Sequence, residues 1–332
     1  MFAVPDVVVP LALAAAGVAA IVWGAERFAE NLSRASTRLG VSRFALALLL
    51  AGAEPEELAT AVAATVRDAP AIAFGDVIGA NVAICLVALG VGALVAPLPF
   101  GTRVMRYGML GLPVGVIAVA FAWDGRVGRI EGAVLVGLYV AFVATIWFVE
   151  REVPTIGEVG EVGELDEAGE EIGSEASHGR TGRVGRVGRE LILVLVGLTA
   201  MVVGATLLVD GVRELVEAEA DQTRLSLTVV GFATAFELVV LAWSGARRGI
   251  TDAVVAGVVG SYGYNVTMTL GAAAVVRPLA LADAGQLHLP MAMMLLALAA
   301  CLALASRHRA LHRRHGTVLL AGYPVFVIAV LI

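Results

Sequence analysis

The sequence predicts an all-α membrane protein of ten transmembrane helices, arranged as two inverted-topology repeats of five. Three observations carry that expectation: a composition poor in charge, apolar stretches of membrane-crossing length from end to end, and two halves whose landmarks recur at matching intervals. Hydrophobic residues make up 59% of the chain and charged residues 16%, where soluble domains average roughly 25% charged. Crossing a hydrocarbon core of ~30 Å takes about 20 helical residues. Suitable stretches fall at 6–29, 40–66, 71–97, 105–123, 130–149, 190–213, 223–246, 252–276, 287–305 and 316–332. The run from Leu191 to Val203 carries no charge and no polar alternation. A barrel strand would alternate polar and apolar positions, so helices are expected throughout.

The first stretch has no basic residue ahead of it and runs into Trp23, Glu26 and Arg27, so it is expected to stay as a span rather than be cleaved as a signal peptide. The second contains Ala51-Gly52-Ala53-Glu54-Pro55-Glu56-Glu57, where the proline removes a backbone donor and is expected to kink the helix and free carbonyl oxygens. The third carries Gly75-Asp76-Val77-Ile78-Gly79-Ala80-Asn81, with small residues for close helix approach. Gly79, and Gly260 in the second half, are expected to act as packing positions. After the fifth stretch comes the one long polar segment, 150–189, acidic from Glu150 to Glu175 and then arginine-rich from Arg180 to Arg189. Its low apolar content predicts a disordered linker. Three parts follow: a first five-helix repeat at 1–149, the linker at 150–189, and a second repeat at 190–332. Cys85 and Cys301 lie in apolar runs without a partner motif and are expected to be packing residues.

Every one of the 23 basic residues is arginine, so orientation rests on arginine alone. With the amino terminus outside, loops after odd-numbered spans hold sixteen arginines and the opposite loops six. Both termini are therefore expected outside, the 150–189 segment in the cytoplasm, and the chain in the cell membrane.

The halves match in detail. Gly24, Glu57, Gly79, Leu89-Gly90 and Gly132 lie at successive intervals of 33, 22, 11 and 42 residues, counted to the glycine in each pair. Gly204, Glu237, Gly260, Leu270-Gly271 and Gly316 lie at 33, 23, 11 and 45. Five spans per half, an odd number, make the second copy enter the membrane from the opposite side. Two inverted copies can exchange conformations about a fixed central site, which suits a carrier.

An ionisable residue inside a span costs about 2.5–3.5 kcal/mol on insertion scales and marks a functional position. Glu57 and Glu237 occupy equivalent places in the second span of each half, and neither span carries an arginine there. Inversion would bring the two carboxylates to one depth, where hard oxygen ligands suit a divalent cation. Around Glu237 the segment Gly231-Phe232-Ala233-Thr234-Ala235-Phe236 supplies a threonine hydroxyl, and Gly260-Ser261-Tyr262-Gly263-Tyr264-Asn265 supplies further oxygen atoms.

At these residues the chain resembles the cation/calcium exchanger superfamily, which includes the sodium/calcium exchangers. The hallmark is an inverted pair of repeats carrying Gly-Thr-Ser-x-Pro-Glu-Leu and Gly-Asn-x-x-Gly-Ser-Asn-x-x-Asn, and the resemblance covers nearly the whole chain outside the linker. It implies that Glu57 and Glu237 bind the cation and that exchange proceeds by alternating access, exporting Ca2+ against Na+ or H+. Both repeats depart from the hallmark: in the first, Ala53, Glu54 and Glu56 stand at the family Thr, Ser and Pro, Ala80 at a Ser and Ile84 at the last Asn. In the second, Ala233 and Thr234 stand at the Thr and Ser, Phe236 at the Pro, Gly257 at the first Asn and Tyr262 at the second, while Ser261 and Asn265 persist. Either Glu54, Glu56 and Asp76 replace the lost oxygens, or the exchanger has fewer ion sites with a proton as coupling ion. Glu56 is expected at a wetted helix mouth. The candidate ligands are Glu57, Glu237, Glu54, Thr234, Ser261, Asn265 and Asp76.

The alternative is an exchanger-fold protein acting as a channel or a non-transporting membrane protein. No enzymatic activity is expected, since His178, His308, His312 and His315 lie in loops or at a basic membrane edge and His288 stands alone. No cofactor is expected. The partners expected are cations and the bilayer, without nucleic acid, and a monomer is compatible with the sequence.

Overall fold

The computed structural model describes residues 4–39, 54–150, 180–249 and 251–332. Within these, helix α1 covers Val4–Leu39, α2 Pro55–Val66 and α3 Pro70–Ala83. A π segment, π1, spans Ile84–Ala88 and leads into α4, Leu89–Val95. The two-residue strand β1 (Leu98–Pro99), α5 (Thr102–Ala122), strand β2 (Arg126–Val127) and α6 (Arg129–Glu150) complete the first half. The second opens with α7 (Arg180–Leu215) and α8 (Glu219–Leu225), then π2 (Ser226–Val230) and α9 (Gly231–Arg248). It continues through α10 (Thr251–Tyr264), π3 (Asn265–Thr269), α11 (Leu270–Val276), β3 (Leu279–Ala280), α12 (Gly285–Ser306), β4 (Ala310–Leu311) and α13 (Arg313–Leu331).

Helix therefore occupies each stretch the hydropathy marks, as far as the described residues run. Seven helical stretches among the described residues are long and apolar enough to cross a membrane, and the protein is a multi-pass membrane protein. Side chains such as Leu11, Ile192, Leu195 and Val318 are more than half exposed, an apolar surface suited to lipid. In contrast, the helix running Pro70 to Val95 is buried along almost its whole length, at the centre of the bundle.

Two expectations need correction. Pro55 does not kink a continuing helix: it is the first residue of α2, where its missing N–H costs nothing, and Glu54 before it adopts a non-helical φ of −123° and ψ of 63°. Arg180 to Arg189, assigned to the disordered linker, form the opening turns of α7. Arginine is a good helix former, and here it extends an apolar helix already nucleated by its span. The linker from 151 to 179 and the first half of the second span, 40–53, lie outside the described residues.

Contacts recur between the halves with partners exchanged. Helix α1 packs along α7 more extensively than any other pair of elements. A Cβ on Gly17 would lie 2.6 Å from the Gly204 carbonyl, and one on Gly197 2.7 Å from that of Gly24. Gly132 meets Gly271 in the way Gly316 meets Gly90, each with a carbonyl 2.7 Å from the position a Cβ would take. Strand β1 pairs antiparallel with β4, and β2 with β3. Small residues at these crossings let backbones approach closely, the usual means of helix association in lipid.

Polar links lie at the rim. Arg67 pairs with Asp210 at 2.9 Å and Arg277 with Asp68 at 2.9 Å, with side chains 29–70% exposed. Exposed pairs of this kind contribute about 0.2–1 kcal/mol. A double-mutant cycle on Arg67→Ala and Asp210→Ala, read by thermal unfolding, should give a coupling below about 1 kcal/mol.

Candidate functional site

Four carboxyl groups are sequestered where the first half's α2 and α3 meet. Glu54, Glu56 and Glu57 are 2%, 2% and 1% exposed, and Asp76 is fully buried. The proline start of α2 sets this up, because a helix beginning at Pro55 places Glu56 and Glu57 in its first turn. Acidic groups there face the free N–H ends of the helix, which favour negative charge by about 0.3–1 kcal/mol. Glu56 does not lie at a wetted mouth, as expected from the sequence. It turns inward with Glu57, because α2 packs against α3, α7 and α11 and leaves neither side open.

The second half contributes neutral donors. The Thr234 hydroxyl donates to Asp76 Oδ1 at 2.9 Å, across 158 residues of sequence. The Asn265 amide donates to Glu54 Oε2 at 3.1 Å, and the Thr269 hydroxyl donates to Asn265 Oδ1 at 3.3 Å. Asn265 is thus oriented by Thr269 so that its amide N–H faces Glu54. Its side-chain oxygen accepts from Thr269 and keeps a second lone pair, so Asn265 both positions a carboxylate and retains a possible oxygen ligand.

Several buried oxygens have no hydrogen-bond partner among the described residues. Neither oxygen of Glu57 accepts a hydrogen bond, and the same holds for Asp76 Oδ2, both side-chain polar atoms of Asn81 and the Ser261 hydroxyl. Such groups normally find partners, since leaving one buried and unsatisfied costs about 1–3 kcal/mol. Glu54, Asp76 and Glu56 all lie within electrostatic reach of Glu57. The elements bearing these residues, α2, α3, π3, α9 and α10, pack against one another in sequence around α3. No three His, Cys, Asp or Glu side chains among the described residues form a ready metal cluster, so the carboxyls are neighbours rather than a closed cage.

Glu237 is placed differently from Glu57. It sits one helical turn beyond Thr234 at the edge of the buried stripe of α9, and it is half-buried, with Phe236 beside it 50% exposed. Equivalent positions in the sequence therefore occupy unequal environments. The structure joins Glu54 to Asn265 and Asp76 to Thr234, and gathers Glu57 with Glu54, Glu56 and Asp76. Sequence reasoning missed Thr269 as a member of this region, and Asn81, though within the Gly75–Asn81 segment it singled out, was not named among the ligands. The signal for Thr269 was its hydroxyl four residues beyond Asn265 on the same helical face.

Close approach holds the region together. A Cβ on Gly231 would lie 2.5 Å from the Ala80 nitrogen and 2.8 Å from the Gly79 Cα, while one on Gly79 would overlap the Leu227 carbonyl. Gly79 is thus the packing position the sequence suggested. It lets α9 lie directly on α3 and brings Thr234 to Asp76.

The family model for the sodium/calcium exchanger protein matches residues 9–148 and 190–332. The chain belongs to this family. Among its relatives is the inner membrane protein YrbG of Escherichia coli (strain K12), 23% identical over 271 residues, with 80% of each chain covered. The sodium/calcium exchanger MaX1 of Methanosarcina acetivorans is 32% identical over 111 residues, covering 32% of each. Among solved structures, the sodium-calcium exchanger NCX_Mj soaked with 10 mM Na+ and 10 mM Sr2+ superposes with a TM-score of 0.60 at 21% identity, over 97% of this chain and 98% of that one. The exchanger fold explains why polar residues from α3, α9 and α10 meet at the centre of an otherwise apolar bundle.

Thr234→Val in this exchanger-family protein keeps the shape of the side chain and deletes the donor to Asp76. Losing a hydrogen bond to a charged group should cost about 1.5–3 kcal/mol, read as a fall in the unfolding midpoint in detergent. Thr234→Ser should restore most of it.

Proposed function

We propose that the protein is a secondary-active cation antiporter of the cell membrane. It exports Ca2+ in exchange for Na+ or H+ by alternating access around a site that includes Glu57 and Glu237. The observation that carries this reading is the set of buried oxygens on Glu57, Asp76, Asn81 and Ser261 without partners among the described residues. A hard divalent cation takes about 6–8 oxygen ligands at roughly 2.3–2.6 Å, and carboxyl, amide and hydroxyl oxygens of this kind are what it recruits. Glu54 and Thr234 complete the polar surroundings, while Asn265 holds Glu54 in place.

Ten spans in two inverted five-helix repeats, at 1–149 and 190–332 with 150–189 between them, fit this role. The exchanged contacts between halves support it, since a two-fold relation in the membrane plane makes two equivalent conformations accessible. The arginine distribution places both termini outside and 150–189 in the cytoplasm. The concentration of carboxyls in the first half, with no arginine in Pro70 to Val95, supports a proton as the coupling ion over a second sodium site.

Purified protein in liposomes, with a sodium gradient and a pH gradient imposed separately, tests this through a calcium-sensitive dye. Uptake driven by either gradient supports exchange, and the effective gradient identifies the coupling ion. Calcium entry without any gradient dependence would indicate a channel, and absence of entry under both gradients would overturn the reading.

A further inference from the structure

One membrane edge of the bundle, where β1 meets β4, carries a dense run of cationic side chains. Between Arg307 and His315, seven of nine residues are arginine or histidine. The rings of His308, His312 and His315 gather with centroids 5.8–6.5 Å apart, and the arginines around them are exposed. Strand β4 fixes this segment against β1, where the Phe100 amide donates to the Arg309 carbonyl at 2.7 Å and Arg309 Nη1 donates to the Thr102 hydroxyl at 2.9 Å. The chain has no acidic residue from Val77 to Trp123, nor from Ala284 to Ile332. Five elements at this edge, β1, α5, the end of α12, β4 and α13, therefore contain no acidic residue, while α10, which also packs on β1, begins with Thr251-Asp252.

The equivalent edge formed by β2 and β3 is different. There Arg277 pairs with Asp68, the Arg126 amide donates to Asp124, and Glu219 accepts from the Ala282 amide. Orientation in the membrane requires only an excess of arginine on one side; it requires no cluster of three histidines. The His315 Nδ1 accepts from the His312 amide at 3.3 Å, which in a neutral ring leaves the proton on Nε2 as an outward donor. Such donors beside Arg313 and Arg314 match phosphate oxygens, and the position at a membrane edge puts them at headgroup depth.

We propose that the edge built from the three histidines with Arg313 and Arg314 binds the phosphate headgroup of an anionic phospholipid. The lipid supplies negative charge that these five elements lack, and the β1–β4 ladder holds the arginines and imidazoles in place to receive it.

Native mass spectrometry of the full chain, released from detergent with phosphatidylglycerol or phosphatidylcholine added, reads this directly. Wild-type protein should retain phosphatidylglycerol over phosphatidylcholine. His308→Ala combined with Arg313→Ala and Arg314→Ala leaves the Arg309–Thr102 and His312–His315 contacts in place. It should weaken that retention about tenfold or more, since each surface cation contributes on the order of 1 kcal/mol. Arg126→Ala with Arg129→Ala at the opposite edge should leave it unchanged. Equal retention of the two lipids by wild type, which needs no variant to fold, would overturn the proposal. So would undiminished retention in the triple variant, and a site filled by inorganic phosphate alone as tightly as by lipid would reassign it to the free anion.

Discussion

Glu57→Gln is expected to lower gradient-driven calcium uptake by more than about a hundredfold, beyond the 10–100-fold typical of losing a residue that only supports a metal ligand. The side chain is 1% exposed and neither oxygen accepts a hydrogen bond among the described residues. The amide keeps the shape of the side chain and removes one of four neighbouring carboxyl groups in a region where α2 and α3 supply no arginine. Stability in detergent should accordingly hold or rise while uptake is lost, a combination that misfolding cannot produce. Size-exclusion profiles and unfolding midpoints measured beside dye-reported uptake check both halves of this expectation. A variant that transports at near wild-type rate would remove Glu57 from the site.

Glu237→Gln should also reduce uptake, with a smaller effect. Glu237 is half-buried at the edge of its helix's packed stripe and lies outside the carboxyls gathered around Glu57, so fewer neighbouring acids depend on it. Two residues at matching positions of a sequence repeat need not be interchangeable in space. Comparing the two variants in one liposome assay measures that asymmetry.

The helical architecture was legible because the hydrocarbon core imposes a length and an apolarity that hydropathy records directly. The close packing at Gly79 was legible because a small residue in a span marks a crossing that tolerates little displacement. Local polar geometry was less accessible. Glu56 was expected in water, since a glutamate beside a proline ordinarily marks a helix entrance. Its burial comes from α7 and α11 closing over α2, a tertiary effect absent from the local sequence. Asn265 read as an oxygen ligand because its amide oxygen could serve as one. Its amide N–H toward Glu54, with Thr269 on the amide oxygen, is a tertiary arrangement that the local sequence does not show. Even the proline was ambiguous: the same residue kinks a helix interior or opens a new helix, and which one holds depends on Glu54 leaving helical geometry before it.

Gly231→Val should be among the most damaging single changes outside the carboxyl cluster. Even a Cβ at this position would sit 2.5 Å from the Ala80 nitrogen, a backbone atom that cannot swing aside as a side-chain end would. Helix α9 would have to lift from α3, and β-branching adds two further methyl groups to the overlap. Overpacking in a filled interior costs about 1–3 kcal/mol where neighbours can adjust. Here the neighbours are the main chain of Gly79 and Ala80, so a loss of at least about 3 kcal/mol is expected. The displacement would also separate Thr234, one turn further along α9, from Asp76 across their 2.9 Å hydrogen bond. Gly231→Ala should show a milder form of the same defect, with a lowered unfolding midpoint and reduced uptake together. If Gly231→Ala instead lowered uptake with the midpoint unchanged, the glycine would be acting on the ion site or on the conformational exchange rather than on packing. The joint fall expected here separates this position from Glu57, where uptake is lost and the fold is kept.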